Sequence, residues 1–294
     1  MKLVEERTCF MIGMPSSGKT TYLVSLANIL ISGEQTTLLS LKNSDTLEGM
    51  ENIQDEIENF NRFQKVGRTV RTVGGWVKIP LFDGQGKKTW LRIPDLSGEI
   101  FVDLIWDRRL KKDVVTHLQT ADMLLFFLNI DTMAKDQRIP LGEKVALKII
   151  EEKYSEEVIK SGKTRSAEID TDRKKRVTQA DIVELLQCVL YLTRKQIRVK
   201  FVISAWDSIE KQLEPENQVP EKCMEKFLPL LLQFLRSNPD RIDGEIWGVS
   251  AQGFDFTNQE ELEKWKMDDI WEHSRIITPA GEETHDLTRL LFMN

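Results

Sequence analysis

The 294-residue sequence predicts an α/β fold, with a mainly parallel central sheet, one antiparallel edge strand and helices on both faces. Three observations carry that reading. Short apolar runs alternate along the chain with segments whose apolar residues recur every three or four positions. Two of the runs, residues 123–130 (MLLFFLNI) and 199–205, are apolar on both faces, the pattern of strands covered on both sides. A third pattern, two alternating segments around an Asp-Gly turn, reads as a hairpin and supplies the antiparallel edge.

The elements follow in order. Residues 8–12 form a short apolar strand that runs into Gly-Met-Pro-Ser-Ser-Gly. Residues 19–31 then place Leu23, Leu26, Ala27 and Leu30 on one helical face, and Gly33 stops the helix. Leu47, Met50, Ile53, Ile57, Phe60 and Phe63 make residues 45–63 a second amphipathic helix. Residues 69–82 alternate up to Asp83-Gly84, and residues 90–96 resume as the hairpin partner. Residues 98–120 read as mostly helical, with a polar and charged outer face. After the buried strand the composition changes over residues 131–177: more than half of residues 151–176 are charged and apolar side chains are sparse there, so the stretch is expected to be a surface insertion, partly helical or partly disordered. Pattern returns with a helix over 178–195, the second buried strand, a helix over 220–236 and a strand over 245–250. Helices over 260–273 and 286–292 would make residues 253–294 a helical extension. Residues 1–294 are expected to form one elaborated domain.

Composition narrows the function classes. Lys and Arg number 41 against 47 Asp and Glu, for a net charge of −6, which excludes a globally basic nucleic-acid binder. No direct nucleic-acid partner is expected. The apolar runs fall far short of the roughly 18 residues that span a bilayer, so no membrane partner is expected either. Cys9, Cys188 and Cys223 lie far apart without a CxxC pair, and no secretory leader is evident, so the expected location is cytoplasmic.

Gly13-Met-Pro-Ser-Ser-Gly18-Lys19-Thr20 matches the phosphate-binding loop pattern at every fixed position, between a predicted strand and a predicted helix. Glycines let backbone N–H groups curl around phosphate oxygens, and the helix directs its positive end at the same anion. Gly13, Pro15, Ser16, Ser17, Gly18, Lys19, Thr20 and Thr21 therefore form the expected phosphate-binding set. Lys19 brings a point charge to the β- and γ-phosphates, and the Thr20 hydroxyl can ligate Mg²⁺. Asp95-Leu-Ser-Gly98 follows the second hairpin strand: Asp95 can hold Mg²⁺ through water, and the Gly98 N–H can meet a γ-phosphate. Glu99 comes next and could orient an attacking water, or serve only as a first-turn helix carboxylate. Thr69, with Thr72 as the alternative, is the expected third Mg²⁺ contact.

Ser204-Ala-Trp-Asp207 closes one buried strand, and Ser250-Ala251-Gln252 closes the next. With the earlier motifs in this order, the chain resembles the P-loop GTPase superfamily in its Ras-like, translation-factor-related class. The resemblance spans residues 13–252. It implies a G domain in which Asp207 accepts from guanine N1–H and the 2-amino group, while Ser250, Ala251 and Gln252 form the loop at guanine O6. The Ser-x-Trp-Asp variant, the long insertion and the ending His285-Asp-Leu-Thr-Arg-Leu-Leu291 resemble the bacterial double-GTPase families of conflict and phage-defence loci. GTP and Mg²⁺ are the implied cofactors, slow γ-phosphate hydrolysis with a conformational switch the implied activity, and a second GTPase-like protein the implied partner. The sequence departs from the family pattern at Ala205 and Trp206, where a Lys is usual, with Trp206 offering an aromatic face instead. That departure leaves open an ATP-dependent P-loop NTPase. Glu99 in place of the usual Gln leaves open a nucleotide-loaded, non-catalytic scaffold.

Overall fold

The computed structural model describes residues 7–41, 54–66, 76–94, 99–133, 178–265 and 269–293. Its elements are β1 (Arg7–Gly13), α1 (Lys19–Ser32), α2 (Gln54–Asn61), β2 (Trp76–Phe82), β3 (Lys88–Pro94), α3 (Glu99–Asp107), α4 (Lys112–Thr120) and β4 (Met123–Leu128). There follow α5 (Gln179–Thr193), β5 (Ile197–Ser204), α6 (Trp206–Glu210), α7 (Pro220–Phe227), α8 (Pro229–Arg236) and β6 (Ile242–Ser250). Last come α9 (Gln259–Trp265), β7 (Arg275–Ile277) and β8 (Glu283–Thr284).

The eight strands form one sheet in the order β2-β3-β1-β4-β5-β6-β7-β8. β3, β1, β4, β5 and β6 are mutually parallel, and β2 joins β3 antiparallel with Phe82 opposite Lys88. Alternation sorts the side chains between two cores. Cys9, Met11, Leu125 and Phe127 meet α1, α2 and the C-terminal segment on one face. Phe10, Ile12, Leu124 and Phe126 meet α3 to α8 on the other. All six side chains of β4 are buried. Each such Leu or Phe contributes roughly 1.5–3 kcal/mol, so a one-residue slip that reversed the faces would be strongly disfavoured. The apolar-on-both-faces runs thus sit in the middle of the sheet, as expected.

β1 and β4 are neighbours, and the chain runs from β1 toward the β2–β3 side but from β4 toward β5 on the other, so their connections diverge. In an open α/β sheet, the crevice at the carboxyl ends of such strands is where ligands bind.

Several elements differ from the sequence expectation. The mostly helical stretch over 98–120 consists of α3 and α4, which separate where Arg108 turns left-handed (φ 54°) and its guanidinium bonds Glu184 and Cys188 on α5. The helix over 220–236 breaks at Leu228, since Pro229 lacks the N–H that would continue the ladder. Residues 253–294 are not simply helical. β7 pairs antiparallel with β6 and β8 with β7, through a tight turn whose Gly281 adopts φ 86°. The expected terminal helix is a 3₁₀ turn over Leu287–Leu290, capped by the Asp286 carboxylate on the Thr288 N–H. Within the described part of the 45–63 segment, α2 spans Gln54–Asn61; residues 45–53 lie outside the described residues, as do 134–177 of the expected insertion.

The C-terminal segment is tied across the sheet. Buried Lys200, near the middle of β5, donates to the carbonyls of Arg289 (3.1 Å) and Phe292 (2.9 Å). Tyr22 on α1 donates to the Leu287 carbonyl at 3.0 Å, and the Leu39 N–H to Thr288 Oγ1 at 3.1 Å.

Trp206 is the largest fully buried side chain, 1% exposed, and its indole lies over Gly248 of β6. A Cβ at 248 would stand 2.6 Å from indole carbons. Gly248→Ala is therefore expected to destabilise the fold by about 1–3 kcal/mol through overpacking, read from a shifted urea midpoint at unchanged slope. A midpoint equal to that of the parent would refute this packing.

Candidate functional site

The carboxyl ends of β1, β4, β5 and β6 carry the residues singled out from sequence, and the first to be fixed is the loop after β1. Gly13 has its carbon so close to β4 that a Cβ would come within 2.8 Å of the Phe127 carbonyl and 2.6 Å of Ser17 Oγ. Gly18 adopts φ 89°, and a Cβ there would stand 2.8 Å from Ser204 Cβ at the end of β5. Ser16, also left-handed at φ 60°, lies exposed at the crest of the loop. Its carbonyl accepts from Asn129 Nδ2 at 3.2 Å. Ser204 Oγ donates to the Leu128 carbonyl, 3.1 Å, locking the ends of β4 and β5 together beneath the loop. Neither Asn129 nor Ser204 was among the expected contacts, although Ser204 opens the Ser-Ala-Trp-Asp motif. The sequence signal of Asn129 is a polar residue directly ending a buried strand.

Gly18 caps α1 without a side chain, and no acidic residue sits in the first turn. A helix end of this kind carries roughly half a positive charge, open to an anion. Thr20 and Thr21 follow in that first turn, both half-buried. Lys19 folds back over the loop. Its Nζ donates to the carbonyls of Gly13 (2.7 Å) and Met14 (2.8 Å) and to Ser17 Oγ (3.0 Å). These are neutral acceptors, so among the described residues the ammonium has lost water without gaining a counter-charge. Desolvation lowers its pKa from the ordinary lysine value to about 7. Pro15 and Ser17 complete the loop, with Ser17 buried beneath it.

Asp207 stands in the first turn of α6, next to Ala205, which turns the chain left-handed (φ 52°) after β5. Its Oδ1 accepts from buried Ser250 Oγ at 2.7 Å. The end of β5 and the end of β6 are thereby joined by two of the expected base-side residues. Ala251 is nearly buried and its carbonyl is held by Ser274, while Gln252 is half-buried beside it. Trp206 does not offer the expected aromatic face: it points into the core, where the glycine at 248 makes room for it. Thr69, Asp95 and Gly98 lie outside the described residues. Glu99 opens α3, but only its backbone is described. The structure thus brings Gly13–Thr21, Asp207 and residues 250–252 to one end of the sheet.

A family model described as Double-GTPase 1 matches residues 10–292. No curated protein matches the chain. Among solved structures, the chain is similar to nucleolar GTP-binding protein 1 of Plasmodium falciparum, at 12% identity over 90% of this chain and 87% of that chain, with a TM-score of 0.38. It is also similar to the signal recognition particle receptor SRb-GTP/SRX complex of Chaetomium thermophilum, at 12% identity over 92% and 99%, with a TM-score of 0.39. A third is the Arl6 BBS3 small GTPase of Trypanosoma brucei with bound GppNp, at 13% identity over 92% and 100%, with a TM-score of 0.36.

The state of Lys19 has a measurable consequence. With a pKa of about 7, the free site is mostly deprotonated at pH 8. An arriving phosphate supplies the missing counter-charge and raises that pKa, so binding takes up a proton. Triphosphate affinity should fall about tenfold per pH unit above 7 until the bound pKa is reached. Calorimetry at pH 8 in two buffers of different ionisation enthalpy should show uptake approaching one proton, abolished in Lys19→Met. Equal heats in both buffers would contradict the assignment.

Proposed function

The chain belongs to the Double-GTPase 1 family, and on that premise we propose that it binds GTP with Mg²⁺, cleaves the γ-phosphate slowly and works as a conformational switch in the cytoplasm. The observation that carries the guanine part is the Asp207 carboxylate, fixed by Ser250 at the end of the sheet that also carries the Gly13–Thr21 loop. One oxygen accepts the serine hydroxyl, and a carboxylate has roughly four lone-pair sites, so capacity remains for guanine N1–H and the 2-amino group. Adenine presents neither donor.

The phosphate end follows from charge. The amides of the loop and of α1 surround the phosphates, and Lys19 leaves the Gly13 and Met14 carbonyls for the β- and γ-oxygens. Thr20 offers the hard oxygen that Mg²⁺ takes, and Thr69 and Asp95 are proposed to complete its contacts. When bound, Mg²⁺ neutralises charge shared by the β- and γ-phosphates. The Gly98 N–H would read the γ-phosphate, and Glu99 would hold the attacking water. A carboxylate there adds negative charge beside a phosphate, which is why turnover is proposed to be slow. Loss of the γ-phosphate would release the segments around Thr69 and Gly98, a change that a protein partner can read. The family relationship supports a second GTPase-like protein as that partner, in a bacterial conflict or phage-defence setting.

Two substitutions test this. Native protein should prefer GTP over ATP by at least tenfold, which needs only about 1.4 kcal/mol. Asp207→Asn presents one acceptor and one donor, matching xanthine, and should lose GTP and gain XTP in competition binding. Equal binding of ATP and GTP by the native protein would refute the guanine reading and leave the phosphate site standing. Separately, Glu99→Gln should keep GTP affinity and change the rate of phosphate release. An unchanged rate would assign Glu99 to the helix end and the water to a partner.

A further inference from the structure

α1 begins at the phosphate loop, and the 250–252 loop lies at the base end of the proposed site; one buried side chain from outside both elements touches each of them. Ser274, just before β7, donates its hydroxyl proton to the Ala251 carbonyl at 2.7 Å. Ser25 Oγ on α1 lies 2.8 Å from the same Ser274 oxygen. A serine hydroxyl has one proton, and a carbonyl can only accept. The Ser274 proton is therefore committed to Ala251, and Ser25 must be the donor to Ser274. Both serines are 0% exposed, so no water substitutes for either bond. The Ser274 carbonyl accepts from His285 Nδ1 at 2.9 Å, which fixes that proton on Nδ1 and pins the residue's backbone from the turn after β8. The approach is close on the other side of the loop as well. Gly253 adopts φ 85°, and a Cβ there would stand 2.3 Å from His273 Cβ.

We infer that Ser274 is a positioning residue for base discrimination: it sets the 250–252 loop at a fixed distance from α1, so that the base and phosphate ends of one nucleotide are held in register. The inference rests on the guanine reading above. It also gives the His285 of the C-terminal motif a task, that of holding Ser274 from behind. Without the Ser274 hydroxyl, the Ala251 carbonyl and the Ser25 hydroxyl are stranded in a dry site. The loop then relaxes, while α1 and the phosphate loop, fixed by Gly13 and Gly18 against β4 and β5, stay in place.

Competition binding separates the two ends. GTP, ATP and inorganic tripolyphosphate, which has no base, are titrated into native protein, Ser274→Ala, Ser274→Thr and Ser25→Ala. Ser274→Ala should bind tripolyphosphate as the native protein does, while its GTP-over-ATP preference drops about tenfold. Ser274→Thr keeps the hydroxyl and should restore the preference. Ser25→Ala, which removes only the farther donor, should lower the preference about threefold, and it decides the matter should Ser274→Ala not fold. Native preference in Ser274→Ala or Ser25→Ala, or a loss of tripolyphosphate binding in proportion to GTP, overturns the inference. Absence of a GTP preference in the native protein overturns the guanine reading itself, and this inference with it.

Discussion

Two backbone approaches govern everything at the functional end of this molecule: Gly13 against Phe127 and Gly18 against Ser204, each too close for a Cβ. They press the loop after β1 onto the ends of β4 and β5. The loop can sit there because those strands are buried on both faces and cannot shift, and because Ser204 ties the strand ends together. The direction of α1 is then set. It leaves the loop with its uncapped N-terminus facing the crevice where the connections after β1 and β4 diverge.

That geometry creates an electrostatic deficit. A helix end, a left-handed loop and the Lys19 ammonium converge, with no carboxylate among the described residues bonded to the lysine. Packing has placed positive charge where solvent is partly excluded, and the drop in the Lys19 pKa is the measure of its cost. An anion at this position would supply the missing counter-charge. The end that carries Asp207 is built differently. Asp207 has a hydroxyl partner and only half burial, so its carboxylate is prepared for donors by hydrogen-bond geometry.

The C-terminal segment links these ends. It adds β7 and β8 to the sheet, crosses the face that carries α1, and gives its carbonyls to Lys200 and Tyr22. Lys200 is lowered in pKa mainly by burial, opposed by Glu245 at 3.9 Å, and the two tail carbonyls accept hydrogen bonds from its ammonium deep in the sheet. A segment that looks peripheral in chain order thus supplies core packing through Leu287, Leu290 and Leu291, and through Ser274 reaches the loop at Ala251.

Sequence by itself determined the sheet's centre and the phosphate loop. The strand of residues 123–128 is buried at all six positions, and burial on two faces leaves a mark in composition that needs no neighbour to interpret. Gly13 to Thr20 is equally local, since the loop's shape depends on residue types within one turn. The helix break at Pro229 was legible in principle, because proline acts on its own backbone, although the surrounding periodicity masks it. What the tertiary structure decided depends on partners far away in the chain. Arg108 leaves its helix for Glu184, 76 positions on. Trp206, an aromatic face by its motif position, is core because a glycine 42 positions later leaves a space for it. β7 and β8, three and two residues long, have too few positions to show a period and are strands only because the edge of β6 is there to pair with. The task of Ser274 is the extreme case: one hydroxyl among many, given meaning by Ser25 and Ala251, which folding alone brings within its reach.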